Sequence, residues 1–213
     1  MQAFATRLRH RLGLPLPGPE AQFRMASSFR LDPKLFGHQR ADVRQSAVLI
    51  AIYPFGDVPS TVLIKRPDYD GAHSGQVSFP GGRVEDIDPD LEATALREAH
   101  EEVGIHPDGV EVIGRLTELY IPASNFMVHP FVGLMSERPA LTPDVREVKE
   151  MLEVPLAHFL RPDIVAETEI PLRNGYRLKA PYFDVKGHVV WGATAMMLSE
   201  LLDVLRDAGL NNP

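Results

Sequence analysis

Glu98, Glu101 and Glu102 are spaced i, i+3 and i+4. On a helix turning about 100° per residue, their carboxylates fall within an arc of roughly 100°. Three negative groups then project from one side, which is unfavourable unless something compensates. Like charges at i,i+4 oppose each other by about 0.2–0.5 kcal/mol. Glu101 and Glu102 also sit just before Gly104, a helix stop. There the negative end of the helix dipole opposes each acid by about 0.3–1 kcal/mol. A bound cation reverses the sign of all these terms. Oxygen donors in a chain without cysteine suit a hard ion, Mg²⁺ or Mn²⁺. The plainer reading, a solvated acidic face, leaves the helix-end placement unexplained. Arg97, inside the cluster, reads as an orienting ion-pair partner or as a surface i,i+4 partner of Glu101.

The neighbourhood fits this chemistry. Residues 81–105 hold eight acids against two bases, so one short segment carries six of the seven excess negative charges of the chain. From Leu91 to Val103 there is no Gly or Pro, and good helix formers dominate. Asp90 stands at the N-cap position and Gly104 where the helix must end. Leu91, Ala95, Leu96, Ala99 and Val103 give it an apolar face. Upstream, Gln76-Val77-Ser78-Phe79 alternates like a strand and runs into Pro80-Gly81-Gly82. Two glycines permit close backbone approach, and a tight turn beside a metal site can admit a phosphate. Alone, the glycine pair is only a turn signal.

These residues resemble the Nudix box. Gly82 is followed by Arg97-Glu98-Ala99-His100-Glu101-Glu102-Val103-Gly104-Ile105, similar to the family's Arg-Glu-apolar-x-Glu-Glu-x-Gly-apolar run. The spacer from Gly82 to Arg97 is one residue longer than the commonest form, so Asp88 stands in for the usual first glutamate. The longer spacer is similar to that of the coenzyme A pyrophosphatase branch. That branch's upstream motif ends Gly-x-x-x-Phe-Pro-Gly-Gly, matched by Gly75, Phe79, Pro80, Gly81 and Gly82, with Arg66 before it. The chain departs from the branch pattern at Ile64 (usually Thr), Pro67 (Ser or Ala) and Gly71 (Arg), and Asp68-Tyr69-Asp70 makes that loop acidic. Downstream, Ser124–Pro130, Glu147-Val148 with Val154-Pro155-Leu156, and Val190–Ala195 resemble further elements of the branch. The resemblance spans residues 45–205.

It implies an α/β/α sandwich and metal-dependent hydrolysis of a diphosphate bond. Glu98, Glu101 and Glu102 become the metal ligands, with the Gly82 carbonyl a further contact. The base that activates water is Glu98, Glu102 or, from a separate element, Glu147. Arg66 and His73 are candidates to meet substrate phosphate beside Gly81. His100 faces away from Glu98 and Glu102 by helical spacing. The expected substrate is coenzyme A or its thioesters. A second reading keeps the chemistry and takes ADP-ribose or another nucleoside diphosphate linked to X. A third is a catalytically silent binding or regulatory module. The family also implies a homodimer as one assembly.

Composition bounds the rest. The 213 residues, 44% hydrophobic and 24% charged, suffice for one soluble globular unit. No cysteine means no disulfide framework, consistent with a reducing, cytoplasmic setting. The longest apolar run, Ala47 to Phe55, is too short to span a membrane. A net charge of −7 argues against nucleic acid as a partner. Met1 to Leu16 is Arg-rich and free of acids, a pattern shared by targeting segments and amphipathic docking helices; docking is expected.

To position the site, the chain must supply an α/β scaffold with a mixed sheet. Phe4, Leu8 and Leu12 predict a first helix, and the Pro/Gly-rich stretch 13–43 a wrapping arm; residues 1–44 form this N-terminal part and 45–213 the hydrolase domain. Strands are expected at Ser46–Tyr53, Thr61–Lys65, Val110–Leu119 and Met127–Met135. Asp144–Leu152 is expected as a short helix capped by Asp144. Tyr182–Val185 and His188–Trp191 read as a hairpin, and Ala193–Leu205 as the final helix.

Overall fold

The aliphatic run at Ser46–Tyr53 becomes the middle of the main sheet, because both of its faces can be buried. A computed structural model describes residues 1–31, 41–68, 73–171 and 177–210. Residues 32–40 of the predicted arm lie outside these, as do Tyr69, Asp70 and Gly71. In chain order the elements are α1 (Gln2–Leu12), α2 (Gly18–Phe23), α3 (Ser28–Leu31), β1 (Arg44–Phe55), β2 (Val58–Lys65), β3 (Val77–Ser78), β4 (Gly81–Arg83) and α4 (Leu91–Val103). Then follow β5 (Glu111–Arg115), β6 (Leu119–Ile121), β7 (Phe126–Leu134), β8 (Glu150–Pro155), α5 (Leu156–Phe159), β9 (Val165–Pro171), β10 (Arg177–Val185), β11 (His188–Trp191) and α6 (Gly192–Asp207).

The main sheet has the order β3-β2-β1-β7-β5, with β4 on β1, β6 on β7 and β8 on β2. β1 and β7 run parallel and the other pairings are antiparallel, so the sheet is mixed. Alternation sorts its side chains into two layers. Ala47, Leu49, Ala51 and Tyr53 pack with Val62 and Ile64 against Ala95, Ala99 and Val103 of α4. Ile50, Ile52 and Leu63 face the other way, onto α6 and onto Phe4, Leu8 and Leu12 of α1. The result is an α/β/α sandwich. A small antiparallel sheet, β11-β10-β9, stands beside it. Among the described residues no helix is long and apolar enough to cross a membrane.

One buried acid ties the N-terminal segment to this body. Glu200 of α6 is fully buried, and among the described residues the donors that reach it are neutral. Gly18 N donates to Oε1 at 3.1 Å, Gln22 Nε2 to Oε2 at 2.8 Å and Thr117 Oγ1 to Oε1 at 2.6 Å. The Thr117 N–H adds a longer contact. α2 and the β5–β6 connection therefore converge on one carboxylate.

Two expectations are corrected. Asp144–Leu152 is not a helix. Asp144 does cap a turn, its carbonyl accepting from Glu147 N and Val148 N. Beyond it, Glu150–Pro155 is claimed by the edge of β2, where it pairs over Ser60–Lys65. Val110–Leu119 is not one strand either. The β5–β7 pairing is irregular between Val112 and Gly114, and β5 ends at Arg115 before β6 begins at Leu119.

Candidate active site

Local signals fix α4. Asp90 Oδ1 accepts from Ala93 N at 2.8 Å, and Gly104 closes the helix in the left-handed region with φ 77°. The carbonyls of the last turn are taken up by another segment. Thr142 N donates to Val103 O at 2.9 Å and Asp144 N to Glu102 O at 3.0 Å. The turn that carries Glu147 is thereby docked on the end of the helix that carries Glu98, Glu101 and Glu102.

The glycine turn approaches from β4. The register places Gly82 opposite Ala47 and Gly81 opposite Val48 of β1. A Cβ at Gly81 would stand 2.4 Å from Ala47 O and 2.6 Å from Val48 Cα; one at Gly82 would stand 2.4 Å from Glu98 Oε1. Glycine is required at both positions, first by the sheet and then by the carboxylate.

Arg66, Gly81, Gly82, Arg83, Glu85, Arg97, Glu98, Glu101, Glu102 and Glu147 line a cavity of about 320 Å³. Glu102 is buried. Its Oε2 accepts from Gly81 N at 2.8 Å and its Oε1 lies 3.3 Å from Arg66 Nη2. Arg66 Nη2 also donates to Gly81 O at 3.0 Å. Burial pushes the Glu102 carboxyl up to about 7, against the pull of Arg66 and the Gly81 N–H. Glu98 is raised as well, by burial first, with Arg97 opposing and Glu101 and Glu147 adding to the rise. Glu101 and Glu147 are exposed at the cavity wall.

Arg97 gathers the acids. It forms a two-pronged pair with Asp88, Nε to Oδ1 at 2.8 Å and Nη2 to Oδ2 at 3.0 Å. Its Nη1 donates to Glu98 Oε1 at 3.0 Å and to Glu101 Oε2 at 2.9 Å. Asp88 also accepts from Glu85 N and Thr94 Oγ1. These bonds, those from Arg97 foremost, hold its carboxyl well below the usual range. Asp88 itself is not among the cavity-lining residues.

Of the residues expected from sequence, Arg66, Gly81, Gly82, Arg97, Glu98, Glu101, Glu102 and Glu147 share the cavity. His73 does not line it; its Nδ1 lies 3.1 Å from Gln76 Oε1. Arg83 and Glu85 were not anticipated as lining residues, although the charge density of their segment pointed there. Among the described residues no three His, Asp or Glu side chains form a ready-made metal cage. Glu98 is instead turned to Arg97, and Glu102 to Gly81. The donors nonetheless suit a hard cation. The buried Glu102 Oε1 accepts no hydrogen bond from any described residue, and the carboxylate oxygens of Glu98 and Glu102 are the ligand type such an ion takes.

Comparison with known proteins was consistent with these features. Residues 43–174 match the model of the NUDIX domain. Proteins named "Uncharacterized Nudix hydrolase NudL" from Salmonella paratyphi B and Salmonella newport are each 36% identical over 176 residues, 82% of this chain and 90% of theirs. Among solved structures, RenU, a Nudix hydrolase from M. Smegmatis, superposes with a TM-score of 0.50 at 16% identity, covering 77% of this chain and 86% of that one. That likeness concerns the fold alone.

Proposed function

From the premise that this chain belongs to the Nudix hydrolase family, we propose that it cleaves the diphosphate bond of coenzyme A or its thioesters. Water would add across the P–O–P linkage, giving 3′,5′-ADP and a phosphopantetheine species. One observation carries the reading. Arg66 and the Gly81 turn, both from the upstream motif, are knitted to Glu102 of the acidic helix through the contacts at 3.0, 3.3 and 2.8 Å. The two motifs thus form a single site.

Glu98, Glu101 and Glu102 are the residues that would hold Mg²⁺ or Mn²⁺, with the Gly82 carbonyl a further contact. When bound, such an ion lowers the pKa of water and neutralises charge on phosphate oxygens. The remaining work falls to the chain. Arg66 presents a guanidinium to a phosphoryl oxygen, a fixed charge where positioning and charge stabilisation govern phosphoryl transfer. Arg97 holds Glu98 and Glu101 in place through the anchor at Asp88. Glu147 is the group we assign as base. It reaches the cavity from a separate turn, is open to solvent, and is docked to α4 through Asp144 N. A silent binding module would have no use for two buried, partly uncompensated carboxylates.

One observation favours the second substrate reading. Asp68, in the loop that follows Arg66, is 72% exposed and adds negative charge that opposes the additional 3′-phosphate of coenzyme A, which ADP-ribose lacks. ADP-ribose or another nucleoside diphosphate linked to X is therefore the alternative. Incubation with Mg²⁺ or Mn²⁺ and a panel of these compounds tests both. Release of 3′,5′-ADP from coenzyme A is expected. Rapid ADP-ribose cleavage beside inert coenzyme A would transfer the assignment to the alternative.

A further inference from the structure

Three arginines, Arg66, Arg83 and Arg97, line the cavity beside five acids. Two of the three are already engaged. Arg97 holds Asp88, Glu98 and Glu101 through hydrogen bonds of 2.8–3.0 Å. Arg66 donates to Gly81 O at 3.0 Å and lies 3.3 Å from Glu102. Arg83 differs. Among the described residues its guanidinium meets Glu85 alone, at 3.6 Å, a separation too long for a hydrogen bond. Its side chain is 70% exposed, against 15% for Arg97 and 25% for Arg66. An exposed pair of that length contributes little to stability, so the guanidinium can leave Glu85 with little loss.

The backbone beneath Arg83 is held on both sides. Arg83 pairs with Ser46 of β1, its carbonyl accepts from Arg97 Nη2 at 3.1 Å, and Val84 N donates to Gln45 O at 3.1 Å. A Cβ on Gly82, the residue before it, would meet Glu98. Alternation along β4 turns Arg83 to the other face, so it borders the cavity from a different side than the acids of α4. A guanidinium offers planar, paired donors that match a phosphate. A diphosphate presents two charged phosphoryl groups, and Arg66 is assigned to one. We propose that Arg83 is the ligand of the other, released from Glu85 when substrate binds. This rests on the diphosphatase reading above. A solvated arginine on an edge strand is the plainer alternative; it accounts for the exposure of Arg83 but not for its place in the cavity wall.

Calorimetric titration of the full chain with the methylene-bridged analogue of ADP, in Mg²⁺, tests the assignment, because the analogue binds without being cleaved. Arg83→Met is expected to weaken binding roughly tenfold, the scale of a charge-assisted contact. Mg²⁺ affinity measured without the analogue should stay unchanged, and Arg83→Lys should recover part of the lost binding. Arg161→Met removes an exposed positive charge that is not in the cavity wall; screening should hold its effect below about twofold. If Arg83→Met leaves binding as it was while the parent binds normally, the proposal fails. It fails equally if Mg²⁺ affinity drops in step with analogue binding, since Arg83 then acts through the metal ligands. An equal loss in Arg161→Met would trace the effect to net charge and overturn it too. If the parent itself does not bind the analogue, the diphosphatase reading falls, and this contact with it.

Discussion

The N–H of Gly81 donates a 2.8 Å hydrogen bond to Glu102 Oε2, joining the glycine turn to the acidic helix at a carboxylate with almost no solvent access. Burial raises that carboxyl from an ordinary value of 4.5 to about 7. Between these two values the native state keeps a proton that the unfolded chain has released. Stability therefore falls as pH rises through the window. Without divalent metal, the protein is expected to lose on the order of 2–3 kcal/mol of unfolding free energy between pH 5 and pH 8. Glu98, shifted in the same direction, adds to the trend. Glu102→Gln should flatten it, as followed by urea unfolding at a series of pH values.

Metal affinity should run the opposite way. A ligand carboxylate must give up its proton to bind a cation. Mg²⁺ affinity is expected to rise by up to about tenfold per pH unit below about 7 and to level off above it. Calorimetric titrations at pH 6, 7 and 8 would show this slope. A flat profile would remove Glu102 from the ligand set.

The two glycines should fail differently. At Gly82 a methyl group meets the Glu98 carboxylate at 2.4 Å; at Gly81 it meets the backbone of β1. A carboxylate can swing aside, but a paired strand cannot. Gly82→Ala is expected to lower kcat by roughly a hundredfold or more, the scale for a displaced catalytic group, with a small change in Tm. Gly81→Ala should lower Tm by several degrees, since overpacking costs about 1–3 kcal/mol.

Glu147→Gln removes the proposed base while leaving Glu98, Glu101 and Glu102 intact. A loss of about 10²–10⁴ in kcat is expected, with Mn²⁺ affinity nearly unchanged. Parallel measurement of turnover and Mn²⁺ binding separates this role from ligation. If both fall together, Glu147 belongs with the metal ligands.

Glu200→Ala would orphan the donors of Gly18, Gln22 and Thr117 inside the protein. Unmet buried donors cost about 1–3 kcal/mol each, so a loss of roughly 3 kcal/mol or more is expected. The urea midpoint should drop, and limited proteolysis should cut within residues 13–31. Glu200→Gln keeps some acceptors and should lie between the two.

The parts of this architecture that were legible in sequence are those fixed by local physics. α4 begins and ends where Asp90 and Gly104 say it must, because caps act over one turn. β1, β2, β7 and α6 followed from apolar runs buried on both faces. The segment after Asp144 misled because its cap is real: the turn forms, but cross-strand pairing with β2 then overrides helical propensity. β9 was not anticipated. Its alternation, Ala166-Glu167-Thr168-Glu169-Ile170, is polar on an exposed edge and gives no core signal. In the site, the glutamates were visible through their spacing. The contact that sets Arg66 against Glu102 joins two separate motifs, and no local pattern encodes it.

The central claim is that Glu98, Glu101 and Glu102 together hold a divalent cation that acts on a diphosphate. Crystals grown with Mn²⁺ and the methylene-bridged ADP analogue, measured for manganese anomalous scattering, test it most directly. A peak within about 2.0–2.4 Å of Glu98 and Glu102 oxygens is predicted, with Glu98 drawn off Arg97. The absence of a peak there, with Glu98 still on Arg97 and Glu102 still on Gly81, would contradict the account.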